Sequence, residues 1–332
     1  MEPLRVALLG AGHLGTFHAR ALRRLAGEHR LWIHDPDAAR ARRLAQEVAA
    51  VACDLAEALA AADAVVIAAP TAAHAELALQ AFDAGCDVFV EKPITRTLAE
   101  GEQLVQRAAA DERILQVGHI ERFNPIFRAV AADIGVPAYV EAERLAPFVP
   151  RSLDVDVVLD LMIHDLDLVL AQVPADVAAL DAAGAAVLTP REDIASARLR
   201  FANGTVANLT ASRVSQEKSR KIRFFSRHAY LSLDLAQRTA RRVAIRSDAA
   251  GDVEVPGMGR FTVAEEQLEQ KTPDPLEQEL HAFLTAVQTR TPPPVSGAQA
   301  LRVLRVADAI RDDVQRSLRR FDEAQPCPIP GS

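Results

Sequence analysis

From Arg5 to His119, short apolar runs alternate with stretches whose apolar positions recur at helical spacing. Arg5–Gly10, Leu31–Asp35, Ala64–Ala69, Asp87–Glu91 and Ile114–His119 read as strands. Helices fall between them. In Asp37–Ala50 the residues Ala38, Ala41, Leu44, Ala45 and Val48 share one helical face, and Leu98–Ala110 has the same spacing. Strand–helix alternation of this kind builds a parallel sheet covered on both faces by crossover helices.

Beyond Arg122 the texture changes. A helix at Asn124–Asp133, a strand at Ala138–Leu145 and a loop at Pro147–Pro150 lead into a helix over Asp156–Val173. Period-two segments follow at Ala195–Phe201, Thr205–Ser212, Lys221–Ser226, Tyr230–Asp234 and Arg242–Arg246, with no helix between them, which predicts an antiparallel sheet. Asn203-Gly204 reads as a two-residue hairpin turn. Gly251–Gly259 and Lys271–Pro275 read as loops, followed by helices at Leu276–Thr289 and Ala298–Leu318 on either side of three prolines. The pattern divides the chain into a first domain over 1–121, a second over 122–322 and a tail over 323–332. The last helices could return to the first domain.

Composition narrows the function classes. A chain of 332 residues is long for one core, so two domains are expected. With 49% apolar and 25% charged residues the class is globular, and a net charge of −7 gives no general attraction for nucleic acid or anionic membranes. The longest apolar stretch, Ala64–Ala73, contains Pro70 and Thr71 and is too short to cross a bilayer. The start, Met1-Glu2-Pro3-Leu4-Arg5, lacks the layout of a secretory signal. Cys53, Cys86 and Cys327 show no metal or redox spacing, which suits a reducing cytoplasm.

Gly10-Ala11-Gly12-His13-Leu14-Gly15 directly follows a strand and opens a helix, the context of a dinucleotide fingerprint. Gly10 permits the tight turn, Gly12 lets a pyrophosphate approach the backbone, and Gly15 allows close helix packing. Asp35 ends the second strand, where a carboxylate accepts from ribose hydroxyls and repels a 2′-phosphate, so NAD is expected over NADP. Pro70, Thr71 and His74 follow the strand at Ala64–Ala69, at the carboxyl edge where ligands bind in doubly wound sheets. Thr71 as a helix cap is the plainer alternative.

Four of the 38 basic residues are lysine, and one of them, Lys92, stands between Glu91 and Pro93 at the end of an apolar strand. Unlike guanidinium, a lysine ammonium exchanges its proton readily when desolvated, which suits proton transfer beside a nicotinamide ring. Pro93 keeps Lys92 extended and makes a cis bond possible. A surface ion pair of Glu91 with Lys92 is the competing reading.

Asp160 and His164 lie four apart in an apolar helical run, on one face. The pair suits orienting a substrate and holding a proton, and a hydrogen-bonded structural pair is the alternative. Asp156, Asp165 and Asp167 are close, but no further ligand has metal spacing, so no metal is expected. Arg122 could grip an anionic part of a substrate. Lys218, Arg220, Lys221, Arg223 and Arg227 read as a solvated sheet face.

Taken together and in this order, the glycine turn, Pro70-Thr71 with His74, Glu91-Lys92-Pro93 and the Asp160–His164 helix resemble the Gfo/Idh/MocA oxidoreductases over nearly the whole chain. The resemblance implies an α/β protein with an N-terminal Rossmann doubly wound parallel sheet. It also implies a C-terminal α+β domain built on an open, mostly antiparallel sheet, often used to form homodimers or homotetramers. It carries the family's lysine, aspartate and histidine onto Lys92, Asp160 and His164, converging over the nicotinamide ring of NAD. Glycines common in the family near the aspartate are replaced here by Asp156, Val157, Val158 and Met162. The run Asp154–Asp165, with His119–Pro125 before it, is similar to a narrower group that oxidises carbon 3 of UDP-N-acetylglucosamine for later transamination in lipid A synthesis. A dehydrogenase of a free cyclitol or monosaccharide, and a catalytically silent NAD-binding regulator, are the alternatives.

Overall fold

The computed structural model describes residues 3–25, 30–149, 155–227, 229–247, 251–256 and 259–324. Met1, Glu2, Pro150, Asp154, Cys327 and the tail from 325 onward lie outside the described residues. The first elements are β1 (Arg5–Leu9), α1 (His13–Leu25), β2 (Arg30–His34), α2 (Ala38–Glu47), β3 (Val51–Ala52), α3 (Leu55–Ala61), β4 (Ala64–Ile67), α4 (His74–Asp83), β5 (Asp87–Glu91), α5 (Leu98–Ala110) and β6 (Leu115–Gly118). Next come α6 (Pro125–Ile134), β7 (Tyr139–Leu145), a π-helical turn at Val158–Met162, α7 (Ile163–Gln172), β8 (Val177–Ala185), β9 (Ile194–Phe201), β10 (Val206–Ser212) and β11 (Ser219–Ser226). The chain closes with β12 (Ala229–Asp234), β13 (Thr239–Ser247), β14 (Val253–Val255), β15 (Gly259–Glu269), α8 (Pro275–Thr289) and α9 (Gly297–Ala324).

By its contacts the chain forms two units, 1–123 with 273–305 and 124–272 with 306–332. The first holds a six-stranded parallel sheet in the order β3-β2-β1-β4-β5-β6. β4 and β6 are buried at every position, and β1 and β5 at every position but one, because helices cover both faces. Helices α2, α3 and α5 start where their sequences supply caps: Asp37 accepts from the Ala39 and Arg40 amides, and Asp54/Glu57 and Thr97/Glu100 form capping boxes. Phe283 and Leu284 of α8 are buried in the same core as Leu8, Ile33 and Phe89.

The second unit carries a nine-stranded sheet in the order β14-β15-β13-β12-β11-β7-β10-β9-β8. Every pair is antiparallel except β7 with β10. Alternation is cleanest in β9, where Ala195, Ala197, Leu199 and Phe201 are buried and their neighbours face out. Three expectations need correction. The β9–β10 connection uses three residues, Ala202-Asn203-Gly204, with Gly204 at φ +89° and Thr205 paired to Phe201, so the glycine forms the left-handed position of a bulged hairpin. The stretch read as a loop at Gly251–Gly259 contains β14, and β8 and β15 are strands where none was read. The helix read over Asp156–Val173 begins with a π-helical turn, in which the Ile163 amide bonds the Val158 carbonyl five residues back.

Candidate active site

In the first unit β1 runs straight into the glycine turn and α1. Gly10 has φ +106°, and a Cβ there would lie 2.7 Å from the Ala68 carbonyl oxygen, so only glycine fits. A Cβ on Gly12 would meet nothing, and that bare backbone faces a cleft of about 590 Å³ lined by Ala11, Gly12, His13, Thr16, Arg40 and Arg43 among others. A glycine turn beside open space, at the start of a thirteen-residue helix, fits a dinucleotide pyrophosphate. Asp35 Oδ2 accepts from the Ala11 amide at 2.8 Å and Oδ1 from the Asp37 amide at 2.8 Å, with Arg40 at 3.6 Å. The carboxylate therefore braces the glycine turn, a contact the sequence reading did not contain, while keeping lone pairs for a ribose.

Pro70 precedes a 3₁₀ turn at Thr71–Ala73, and the turn has no side-chain cap, so Thr71 does not act as one. His74 is buried, its Nδ1 2.9 Å from the Pro93 carbonyl and its Nε2 2.9 Å from the Ala69 carbonyl. Burial pushes this imidazole's pKa down, against the pull of the two carbonyls. The ring thus ties the end of β4 to the Lys92–Pro93 turn, whose peptide bond is cis.

Glu91 ends β5 and Lys92 follows it, and both are half-buried. Glu91 Oε2 accepts from the Lys92 amide at 3.2 Å, and Oε1 lies 2.6 Å from His18 Nε2. Burial works to raise the Glu91 carboxyl's pKa. The hydrogen bond from His18 and attraction to His18 and Lys92 outweigh it and hold the group below the usual carboxylate range. His18 was absent from the sequence reading. Its one signal was position: it falls on the buried stripe of α1 beside Gly15, Ala19 and Leu22, where a polar ring needs a partner. Arg122 stands half-buried in the 3₁₀ turn Ile120–Phe123.

In the second unit Asp160 lies in the π-helical turn and His164 in the first turn of α7, both half-buried between the buried residues Leu159, Met162 and Ile163. A π turn has a wider repeat than the 3.6 residues of an α-helix. Asp156 Oδ1 receives the Val158 and Leu159 amides and Oδ2 receives Arg311 Nε at 2.7 Å. Asp165 is sealed in a two-pronged pair with Arg144, at 2.9 and 2.7 Å. Those two carboxylates serve structure. Among the described residues no three His, Cys, Asp or Glu side chains gather as metal ligands would. Lys218, Lys221, Arg223 and Arg227 are exposed, whereas Arg220 is half-buried and in phase with the buried Ile222 and Phe224.

Residues 4–119 match the model of the oxidoreductase family with an NAD-binding Rossmann fold, and residues 130–232 match the GFO/IDH/MocA C-terminal domain. The chain is 39% identical over 326 residues to UDP-N-acetylglucosamine 3-dehydrogenase of Acidithiobacillus ferrooxidans, covering 96% of this chain and all of that protein. The chain belongs to the Gfo/Idh/MocA oxidoreductase family. A solved structure of the Acidithiobacillus enzyme superposes with a TM-score of 0.87 at 36% identity, over 96% of this chain and all of that one. Similarity to scyllo-inositol 2-dehydrogenase (NAD(+)) of Bacillus subtilis is 30% over 64% of this chain and 68% of that protein. The family assignment makes this chain an NAD-dependent oxidoreductase with a Rossmann first unit, as its sequence implied. No helix among the described residues is long and apolar enough to cross a membrane.

Proposed function

We propose that this protein oxidises carbon 3 of UDP-N-acetylglucosamine to the 3-keto nucleotide sugar. The observation that carries the reading is the end-to-end similarity to an enzyme of that name, spanning both units without a gap in coverage of the relative. Gly10, Gly12, His13, Leu14 and Gly15 hold the pyrophosphate of NAD, Asp35 its adenosine ribose, and Pro70, Thr71, His74 and Glu91 border its nicotinamide end. When bound, NAD supplies the hydride acceptor. Lys92 takes the proton of the reacting hydroxyl, His164 hydrogen-bonds the same oxygen, and Asp160 fixes the sugar's orientation. Arg122 binds an anionic part of the substrate. The enzyme works in the cytoplasm as a homodimer or homotetramer, and its ketone product has the chemistry a transaminase consumes.

Lys92→Ala removes the proton acceptor while leaving the glycine turn intact. Turnover is expected to fall by a factor of about 100 or more, with NAD affinity unchanged by calorimetry; near wild-type turnover would end the assignment of Lys92. Substrate class is tested by following NADH formation with UDP-N-acetylglucosamine, other UDP-sugars, free sugars and inositols. The inositol dehydrogenase similarity favours a cyclitol as the second reading, and turnover of inositols but not UDP-sugars would establish it.

A further inference from the structure

His18 belongs to none of the motifs that brought the site together. Its ring is buried against Phe89 at a centroid distance of 5.5 Å, and its Nδ1 has no hydrogen-bond partner among the described residues. An imidazole sealed in this way is costly, and a leucine would fill the space without burying an unpaired Nδ1. What the ring supplies is the 2.6 Å contact to Glu91 Oε1, while the other carboxylate oxygen receives the Lys92 amide. On its third side Glu91 is confined by β6: a Cβ on Gly118 would come within 2.9 Å of Oε2 and 3.1 Å of Phe89 Cζ. A continuous path therefore runs from α1, the helix that begins at the glycine turn, through His18 and Glu91 to Lys92.

We propose that His18 is a positioning residue for Lys92, its Nε2–H holding Glu91 in the one orientation that sets the backbone and local field of the lysine. The inference rests on Lys92 being the proton-exchanging group. Titratable groups facing Glu91 are His18 on α1, His74 on α4 and Lys92 beside it, and from β6 Gly118 lies against its Oε2. Without its donor from α1, the Glu91 carboxylate is free to turn to the Lys92 ammonium, making the lysine a poorer base.

The test compares His18→Leu, which keeps volume and loses the donor, with His18→Gln, whose amide nitrogen can reach the position of imidazole Nε2. His18→Leu is expected to lower kcat about tenfold or more while KM for NAD changes less than about threefold, and His18→Gln is expected to recover most of the loss. A second readout needs no turnover. The chain has only four lysines, so reductive ¹³C-methylation gives a sparse spectrum in which Lys92 is assigned by Lys92→Arg. The Lys92 titration midpoint should move up by about one pH unit in His18→Leu and return in His18→Gln. Unchanged kcat and midpoint in His18→Leu would overturn the proposal, as would equal losses of kcat in both variants with the midpoint unmoved, which would mark a packing role. If wild-type protein oxidised no sugar, the functional reading would fail by itself, and the Lys92 midpoint would still decide the role of His18.

Discussion

Asp193, at the entrance to β9, is fully buried and still accepts five hydrogen bonds from four residues. Oδ2 accepts from the amides of Val187, Leu188 and Thr189, and Oδ1 accepts from Arg213 Nε at 2.9 Å and the Thr189 hydroxyl at 2.8 Å. Burial would raise this carboxyl's pKa, but the backbone amides and the guanidinium outweigh it and hold the group well below the usual carboxylate range. A depressed folded-state pKa gives stabilisation that is complete above the unfolded value of about 3.9 and is lost as pH falls from there toward the folded value. Asp193→Asn should therefore cost about 3 kcal/mol at neutral pH, because Arg213 is left buried without its counter-charge. Urea unfolding is expected to show the gap between variant and wild type narrowing below about pH 4; a gap of constant size would contradict this account. At this scale Lys92, Asp160 and His164 stand out as candidates because each is a residue type out of keeping with its surroundings. His18 with Glu91, and Asp35 with Ala11, were not, since their partners lie 73 and 24 residues away and only folding brings them together.

At the scale of elements, the glycine turn offers two contrasting positions. Gly10 is locked by its positive φ and the Ala68 backbone, whereas Gly12 faces open space. Gly12→Ala should leave the melting temperature within about 2 °C of wild type and weaken NAD binding about tenfold or more, because its methyl group would occupy the surface a pyrophosphate must approach. Calorimetry with NAD and a thermal melt check both halves, and loss of fold would show that the space around Gly12 had been misread. Strands with fully apolar runs, such as β1, β4 and β5, were readable because burial on both faces leaves that imprint. β8, with the sequence VAALDAAGA, and β15, rich in glutamate, carry no such imprint and become strands through pairing with β9 and β13. The π-helical turn at Val158–Met162 was likewise hidden, since helical periodicity over one turn does not separate 3.6 from 4.4 residues per turn.

For the molecule as a whole, the first unit is discontinuous in sequence. Leu280, Phe283, Leu284 and Val287 of α8 complete the core formed by β1, β2 and α1, and α8 is further tied by Arg24 to Glu277 and by Arg290, which follows it, to Asp87. Four such side chains contribute about 6 kcal/mol or more, comparable with the whole stability of a domain. A fragment ending at residue 123 is therefore expected to lack a cooperative thermal transition. Circular dichroism would show this, and a sharp melt with NAD binding by that fragment would refute it.

The sequence alone determined the class of both sheets, the cofactor and the order of the motifs, because strand burial, glycine spacing and lone polar residues in apolar runs are local signals. Only the tertiary structure decided that Asp35 braces the glycine turn, that His18 clamps Glu91, that Asp156 and Asp165 are spent on arginines, and that 273–305 finishes the first core. Each of these depends on groups far apart along the chain meeting in a dry interior, where an unpaired charge or an unfilled volume is too costly to persist.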